Sequence, residues 1–531
     1  VRSSRRGFVA ATAAGWLASQ IAPPKAPIRG NLVGASREVG HLLRDGAAKG
    51  AVRSTERAEV VVVGGGVSGL SAAWRLRGAG VRATIVDLEP FVGGTSAWGE
   101  DGVVPHPWGA HYLPAPNLEA RPALKLLADM GVLTHFDAAG RPVFDPMRLC
   151  HAPQERLFYR GAWHVGLAPK DALDDAEVAE LVRFEALMDE LEEKRGVDGR
   201  FWFTIPVELS SRDPEALALD RRTFAEWLEL QGFSGRFLRW FARYATLDDF
   251  GAEPDAVSAW AGIHYFTARK EESEALAGSR FLVWPEGNGR LARALLEASE
   301  ASYRTRLLAL AIEEEPEGAR VRALDVERGE VVAIDARAVV VATPAFVARR
   351  LHPGAAALPR RVASPWVVAN LHVERPLDPS FPWDSVLYDG DGLGYVDAAH
   401  QAGPPSDKTV LTYFRAYGAA DAARARADLA RASWSELASG VFADLAPAHP
   451  DLPSRTDRID VMVWGHAMPR PSPGFLGERP FAPVRALGPR TSYGHVDLPG
   501  MALFEEAQRA GVLAAERALE ALGAGPVETW A

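Results

Sequence analysis

The sequence predicts an α/β protein, and three observations carry that reading. The run VVVVGGGVSGLSAAWRLRGAGVRATIVD, residues 60–87, places a β-branched strand, a glycine cluster, a helix pattern and a second strand in succession. Further on, DDAEVAELVRFEALMDELEEKR sets apolar residues at helical spacing. Later still, PWVVANLHVERP and TVLTYF read as strands. At 531 residues the chain is long enough for two to four domains of roughly 150 residues.

The opening motif fixes the first domain. Gly64, Gly66 and Gly69 spell G-x-G-x-x-G between the strand Val60–Val63 and a helix beginning at Val67 and Ser68. The first glycine allows the tight turn, the second lets the backbone approach a pyrophosphate, and the third lets helix and strand pack closely. The helix start offers free N–H groups and a positive dipole end to phosphates. The second strand ends at Asp87 and Leu88, 23 residues beyond Gly64. A carboxylate there accepts ribose hydroxyls and repels a 2′-phosphate, so NADP is disfavoured. The expectation is a Rossmann-like dinucleotide-binding domain.

Composition narrows the rest. A net charge of −10 argues against nucleic acid as a partner. The single cysteine, Cys150, excludes an internal disulfide and any cysteine-based zinc cluster, and no metal site is expected. At the N-terminus, Ser4, Arg5, Arg6, Gly7, Phe8 and Val9 precede an uncharged, alanine-rich stretch. This resembles a twin-arginine export signal over residues 1–24, and implies the export machinery as a partner and a periplasmic location. Residues 25–56 read as a linker with one short helix near Ser36 to Leu43.

Past Asp87 the chain continues DLEPFVGGTSAWG. It thereby resembles the flavin-containing amine oxidase superfamily, which includes monoamine oxidases, L-amino-acid oxidases and phytoene-desaturase-like enzymes. Asp87, Gly93 and Gly94 match the superfamily pattern; Thr95 stands where arginine is usual, and Phe91 also departs. PWGAHYLP, with His111, resembles the segment that reaches the flavin ring. AVVVATPAF, with Ala342, Thr343 and Pro344, resembles the strand returning under the cofactor. The C-terminal stretch from Tyr493, with Asp497 near the usual acidic position and Leu503 ahead of a helix, resembles the closing FAD motif. The implied cofactor is FAD alone, since no second G-x-G-x-x-G occurs, and it is noncovalent, since the closing motif lacks the tethering cysteine.

The resemblance implies a discontinuous FAD domain, residues 57–118, 280–350 and 478–524. An α+β substrate domain, residues 119–279 and 351–477, is inserted. It implies an FAD-dependent oxidoreductase abstracting hydride from an amine-type or other small organic substrate. The alternatives are a desaturase- or isomerase-like flavoenzyme acting on an apolar substrate, and a non-catalytic flavin-binding protein. Candidate catalytic residues are His111 near the ring, Trp464 and His466 as one substrate wall, and Asn370. Asn370 is expected where amine-oxidising members carry a lysine. Without that charge, dehydrogenase chemistry is favoured over oxidase, with a quinone or redox protein as electron acceptor.

Overall fold

The structure, a computed structural model, describes residues 27–46, 50–100, 102–270, 279–374, 381–402, 407–419, 421–477, 485–525 and 528–531. The twin-arginine-like segment lies outside the described residues.

Val60–Val63 are almost wholly buried because their strand has parallel neighbours on both sides. The first sheet runs Ser302–Arg304, Ala83–Val86, Val52–Val63, Glu330–Val341, Gly318–Asp325, Leu307–Glu315. The first four strands are parallel, and the last two close an antiparallel meander on Glu330–Val341. Thr491–Tyr493 adds in parallel beside Val339–Val341. In register, Val63 lies opposite Val86 and Val341. The glycine loop, Asp87, Ala342–Pro344 and the segment after Tyr493 therefore leave one carboxyl edge together, where open α/β sheets bind ligands.

Helix Val67–Gly78 is buried along most of its length, between the sheet and helix Phe504–Ala521. Glycine is required in two places. Gly64 has φ +106°, a backbone that L side chains rarely adopt. A Cβ on Gly69 would lie 1.8 Å from the Gly64 carbonyl oxygen, so the helix could not sit where it does.

The second sheet has eight strands: Leu32–Val33, Thr456–Pro469, Ala363–Glu374, Lys408–Ala416, Tyr395–Asp397, Asp384–Leu387, Glu155–Tyr159, Ala162–Val165. The first insert reads as helical, and Asp175–Glu193, Arg236–Phe250 and Ala259–Thr267 are helices packed in one core with the sheet. It also supplies the last two strands, whose short apolar runs carry no distinctive period.

Residues 27–46 differ from the linker expected. Leu32–Val33 pairs in parallel with Val461–Met462 as an edge strand of the second sheet. Helix Arg37–Asp45 then crosses to the first domain, where Ser36 meets Glu89. From Val52 on, the rest of that stretch already belongs to the long central strand. Among the described residues, no helix is long and apolar enough to cross a membrane.

Candidate functional site

A cavity of about 520 Å³ runs between the carboxyl edge of the first sheet and one face of the second. Its first end is built from the glycine loop. No side chain caps helix Val67–Gly78, and a Cβ on Gly66 would meet nothing within 4 Å. Backbone N–H groups at the helix start are thus open to a phosphate. Asp87 sits at the strand end, accepting hydrogen bonds from the N–H groups of Gly65 and Glu89. Burial raises its carboxyl to about 6, against the pull of those N–H groups. Thr343 Oγ1 and Asn288 Oδ1 are buried in the cavity lining with no partner among the described residues. An approachable loop, a ribose-spaced carboxylate and orphaned polar atoms together fit a dinucleotide.

Gly64, Gly66, Val67, Ser68, Asp87, Leu88, Gly93, Gly94, Thr95, Ala342, Thr343, Pro344, Asp497 and Leu503 all line this cavity; Gly69 does not, and serves packing instead. Asp497 accepts from the Ala345 N–H at 2.6 Å and lies 3.5 Å from His495. Burial alone would raise its carboxyl, but His495, the Ala345 N–H and Arg361 together hold it below the ordinary value.

The second end is aromatic. His111 stacks on Phe414 with ring centroids 4.3 Å apart. Burial lowers its imidazole to about 4, so it is neutral at physiological pH and brings no cation. Trp464 lines the cavity and donates from Nε1 to the Trp108 carbonyl at 2.6 Å. His466 lies at the exposed rim, its ring 4.4 Å from that of Phe346.

Asn370 is corrected by the structure. It is fully buried, donates from Nδ2 to the Pro107 carbonyl at 3.0 Å and accepts from Thr412 Oγ1 at 2.7 Å. It does not line the cavity; Val368 and Trp366, two and four positions earlier on the same strand face, do. Asn370 and Trp464 instead hold the Pro107–Trp108 backbone that carries His111 inward. They position that segment, and only Trp464 also reaches the cavity.

Sequence reasoning missed Tyr112, Asp248, Asp249, Arg269 and Glu505, which line the same end. Tyr112 donates to Asp248 at 3.0 Å, and Arg269 contacts the Glu505 carboxylate. Burial raises both the Asp248 and the Asp249 carboxyl, and the charge of Asp248 raises Asp249 further. A signal was present. Asp248 and Asp249 occupy the last turn of helix Arg236–Phe250, which has no basic residue there. Acids at the negative end of a helix dipole are electrostatically costly. Also missed was Glu89, whose carboxylate accepts from both the N–H and hydroxyl of Ser36 at 2.9 Å. Cys150 is buried, and burial pushes its thiol up, which makes it unreactive. Among the described residues, no group of side chains suits a metal ion.

Residues 67–519 match the sequence model described as flavin containing amine oxidoreductase. The shorter stretch 32–93 matches the model for the alanine dehydrogenase/PNT C-terminal domain. A search of curated proteins finds no match. Among solved structures, the chain is similar to cyclohexylamine oxidase from Brevibacterium oxydans IH-35A. That likeness has a TM-score of 0.63 at 18% identity over 88% of this chain and 100% of the other. It is similar also to wild-type putrescine oxidase bound to putrescine, with a TM-score of 0.62 at 18% identity over 87% and 98% of the two chains.

Proposed function

The chain belongs to the flavin-containing amine oxidoreductase family, and on that premise we propose that it binds FAD noncovalently and oxidises a small amine. The observation that carries this is one continuous cavity, with dinucleotide-binding groups at one end and an aromatic wall at the other. The bound flavin supplies the hydride acceptor for a carbon beside nitrogen. The helix start at Val67 would hold the pyrophosphate, and Asp87 would accept hydrogen bonds from a ribose. His111, Phe414, Trp366 and Trp464 enclose the reacting carbon and exclude water. With His111 neutral, the side chains of this wall favour the uncharged amine, whose lone pair assists hydride departure.

Electron disposal follows from the same wall. No lysine lines the cavity among the described residues, Arg269 at its aromatic end is neutralised by Glu505, and an uncompensated cation near the ring is what speeds reaction of reduced flavin with oxygen. The reading is therefore a dehydrogenase passing electrons to a quinone or redox protein. Its location is the periplasm, reached by the twin-arginine route.

Anaerobic mixing of the purified yellow protein with amines, amino acids and polyenes tests the reaction. Bleaching by amines is expected. Bleaching by polyenes alone would favour a desaturase, and none at all a non-catalytic flavoprotein. Acid denaturation should release FAD into the supernatant; flavin retained by the precipitate refutes noncovalent binding. Changing Arg5 and Arg6 to Lys should hold the folded, yellow protein in the cytoplasm, and unaltered export would refute the route.

A further inference from the structure

We propose that Asp248, Asp249 and Glu505, gathered around Arg269 at the aromatic end of the cavity, form a subsite for a second cationic group, so that the preferred amines are diamines. This rests on the amine reading above. The charge count comes first. Three carboxyl groups face one guanidinium: Arg269 contacts Glu505 and also acts on Asp249, while Asp248 has, among the described residues, only the Tyr112 hydroxyl. The cluster has an excess of acid, and buried charges need partners.

The second observation is independent of that count. Glu505 is 2% exposed, and its Oε2 has no partner among the described residues, although Oε1 meets Arg269. Glu505 lines the cavity with Asp248 and Asp249. A buried carboxylate oxygen bordering the cavity without a donor is an acceptor for an ammonium. Tyr112, whose hydroxyl donates to Asp248, brings an aromatic ring beside the acids, and the face of such a ring favours a cation at close range. Burial raises the Asp248 and Asp249 carboxyls, and an arriving ammonium would draw both toward the ionised form.

The same arrangement disfavours an α-amino acid. Recognition of a substrate carboxylate needs an uncommitted cation, and Arg269 is already engaged by Glu505 and Asp249. The cluster holds one end of the chain while the aromatic wall receives the other. A diamine of suitable length would thus place its uncharged nitrogen among the aromatics with its ammonium held at the acids.

The test uses FAD-loaded enzyme and anaerobic flavin bleaching. Linear α,ω-diamines of three to six carbons are compared with n-alkylamines of equal carbon number and with α-amino acids. At the best length the diamine should exceed its monoamine at least tenfold in kcat/KM. Asp249→Asn should reduce that ratio tenfold or more, and Asp249→Glu, which keeps the charge, should retain most of it. Should Asp249→Asn fail to fold, Asp248→Asn is read in the same ratio. Equal rates for diamines and monoamines would overturn the subsite and leave the amine reading intact. Preference for α-amino acids, or an unchanged ratio in the folded variants, would also overturn it. Bleaching by no amine of any kind would overturn the amine reading and the subsite together.

Discussion

At the cofactor end of the cavity the inward-facing groups come mainly from one contiguous stretch, Gly64 to Ser96, and many are backbone. At the substrate end they are side chains gathered from Tyr112, Asp248, Arg269, Trp366, Phe414 and Trp464, on five separate elements and a loop. A phosphate asks only for N–H groups at a helix start and a glycine turn, which a local sequence can specify. A substrate wall asks for side chains of chosen shape and charge, which only the assembled fold brings together. Substitutions should therefore act differently at the two ends, and Asn370 gives the sharpest case.

The largest effect is expected from Asn370→Lys. Asn370 resembles, by strand position, the lysine site of amine-oxidising relatives, yet its amide is committed to Pro107 and Thr412 under the cavity wall. Replacing it removes both bonds and forces a longer, charged side chain into a full site, costing about 3 kcal/mol of stability. Reoxidation of photoreduced enzyme by oxygen should stay slow. Val368→Lys, on the cavity-facing position, should accelerate it. Stopped-flow reoxidation and denaturant melts on both variants decide the matter; faster reoxidation in Asn370→Lys would restore the sequence-based alignment.

Asp87→Ala probes the cofactor end. Loss of a charge-assisted ribose bond costs roughly 1.5–3 kcal/mol, so FAD affinity should fall by about one to two decades. Equilibrium dialysis measures it, and full flavin occupancy with unaltered affinity would remove the ribose assignment.

These two residues also show what the sequence could disclose. Asp87 was legible because chain distance from the glycine motif fixes its place at the sheet edge. The cavity-lining stretches at Ala342–Pro344 and Asp497 were legible only by resemblance, since nothing local announces that strands far apart in sequence share an edge. Asn370 lies on a strand the sequence discloses, but the sequence does not say that Pro107 covers that position. Asp248 and Asp249 lay in a run that reads as an aromatic core helix. Their adverse position at its C-terminal turn was the one available hint.

Acidity separates the ends by a smaller effect per pH unit. Burial raises the folded carboxyl of Asp87 to about 6 and raises the neighbouring Asp248 and Asp249 together, from an ordinary 3.8. Between the ordinary and raised values the folded state holds more protons than the unfolded state. The stability these three carboxyls contribute to the cofactor-free protein should therefore be fullest below about pH 4 and fall as pH rises, by at most ~1.4 kcal/mol per pH unit for each group, while the buried neutral His111, His264, His449 and His466 act in the opposite sense below pH 6.5. At the upper end Asp249, faced by Asp248, Arg269 and Glu505, shares the slope with Glu155, Asp384 and Glu506, whose carboxyls burial also raises. Asp249→Asn should flatten that upper part while leaving the part owed to Asp87. Urea midpoints between pH 5 and 8 measure this, and parallel curves for the two proteins would refute the burial account of Asp249.

The smallest effect is expected where the N-terminal segment meets the cofactor end. Ser36 bonds Glu89 through both its N–H and its hydroxyl, two residues beyond Asp87, and Gly40 and Leu43 of the following helix line the cavity. The same segment is anchored on the other domain by the pairing of Leu32–Val33 with Val461–Met462. It spans both domains beside Asp87, so its detachment should open that end of the cavity. Burial raises the Glu89 carboxyl, and the two Ser36 bonds oppose the rise. Ser36→Ala deletes the hydroxyl and keeps the backbone donor, a loss of about 1 kcal/mol. If the bond holds the segment closed, FAD dissociation should quicken about fivefold, read by transfer of the flavin to an excess of a competing apoflavoprotein. Ser36→Thr, which keeps a hydroxyl, should restore most of the retention. Dissociation unchanged in Ser36→Ala would show that strand pairing alone fixes the segment. It would also place the cofactor's retention wholly within the first sheet and its glycine loop.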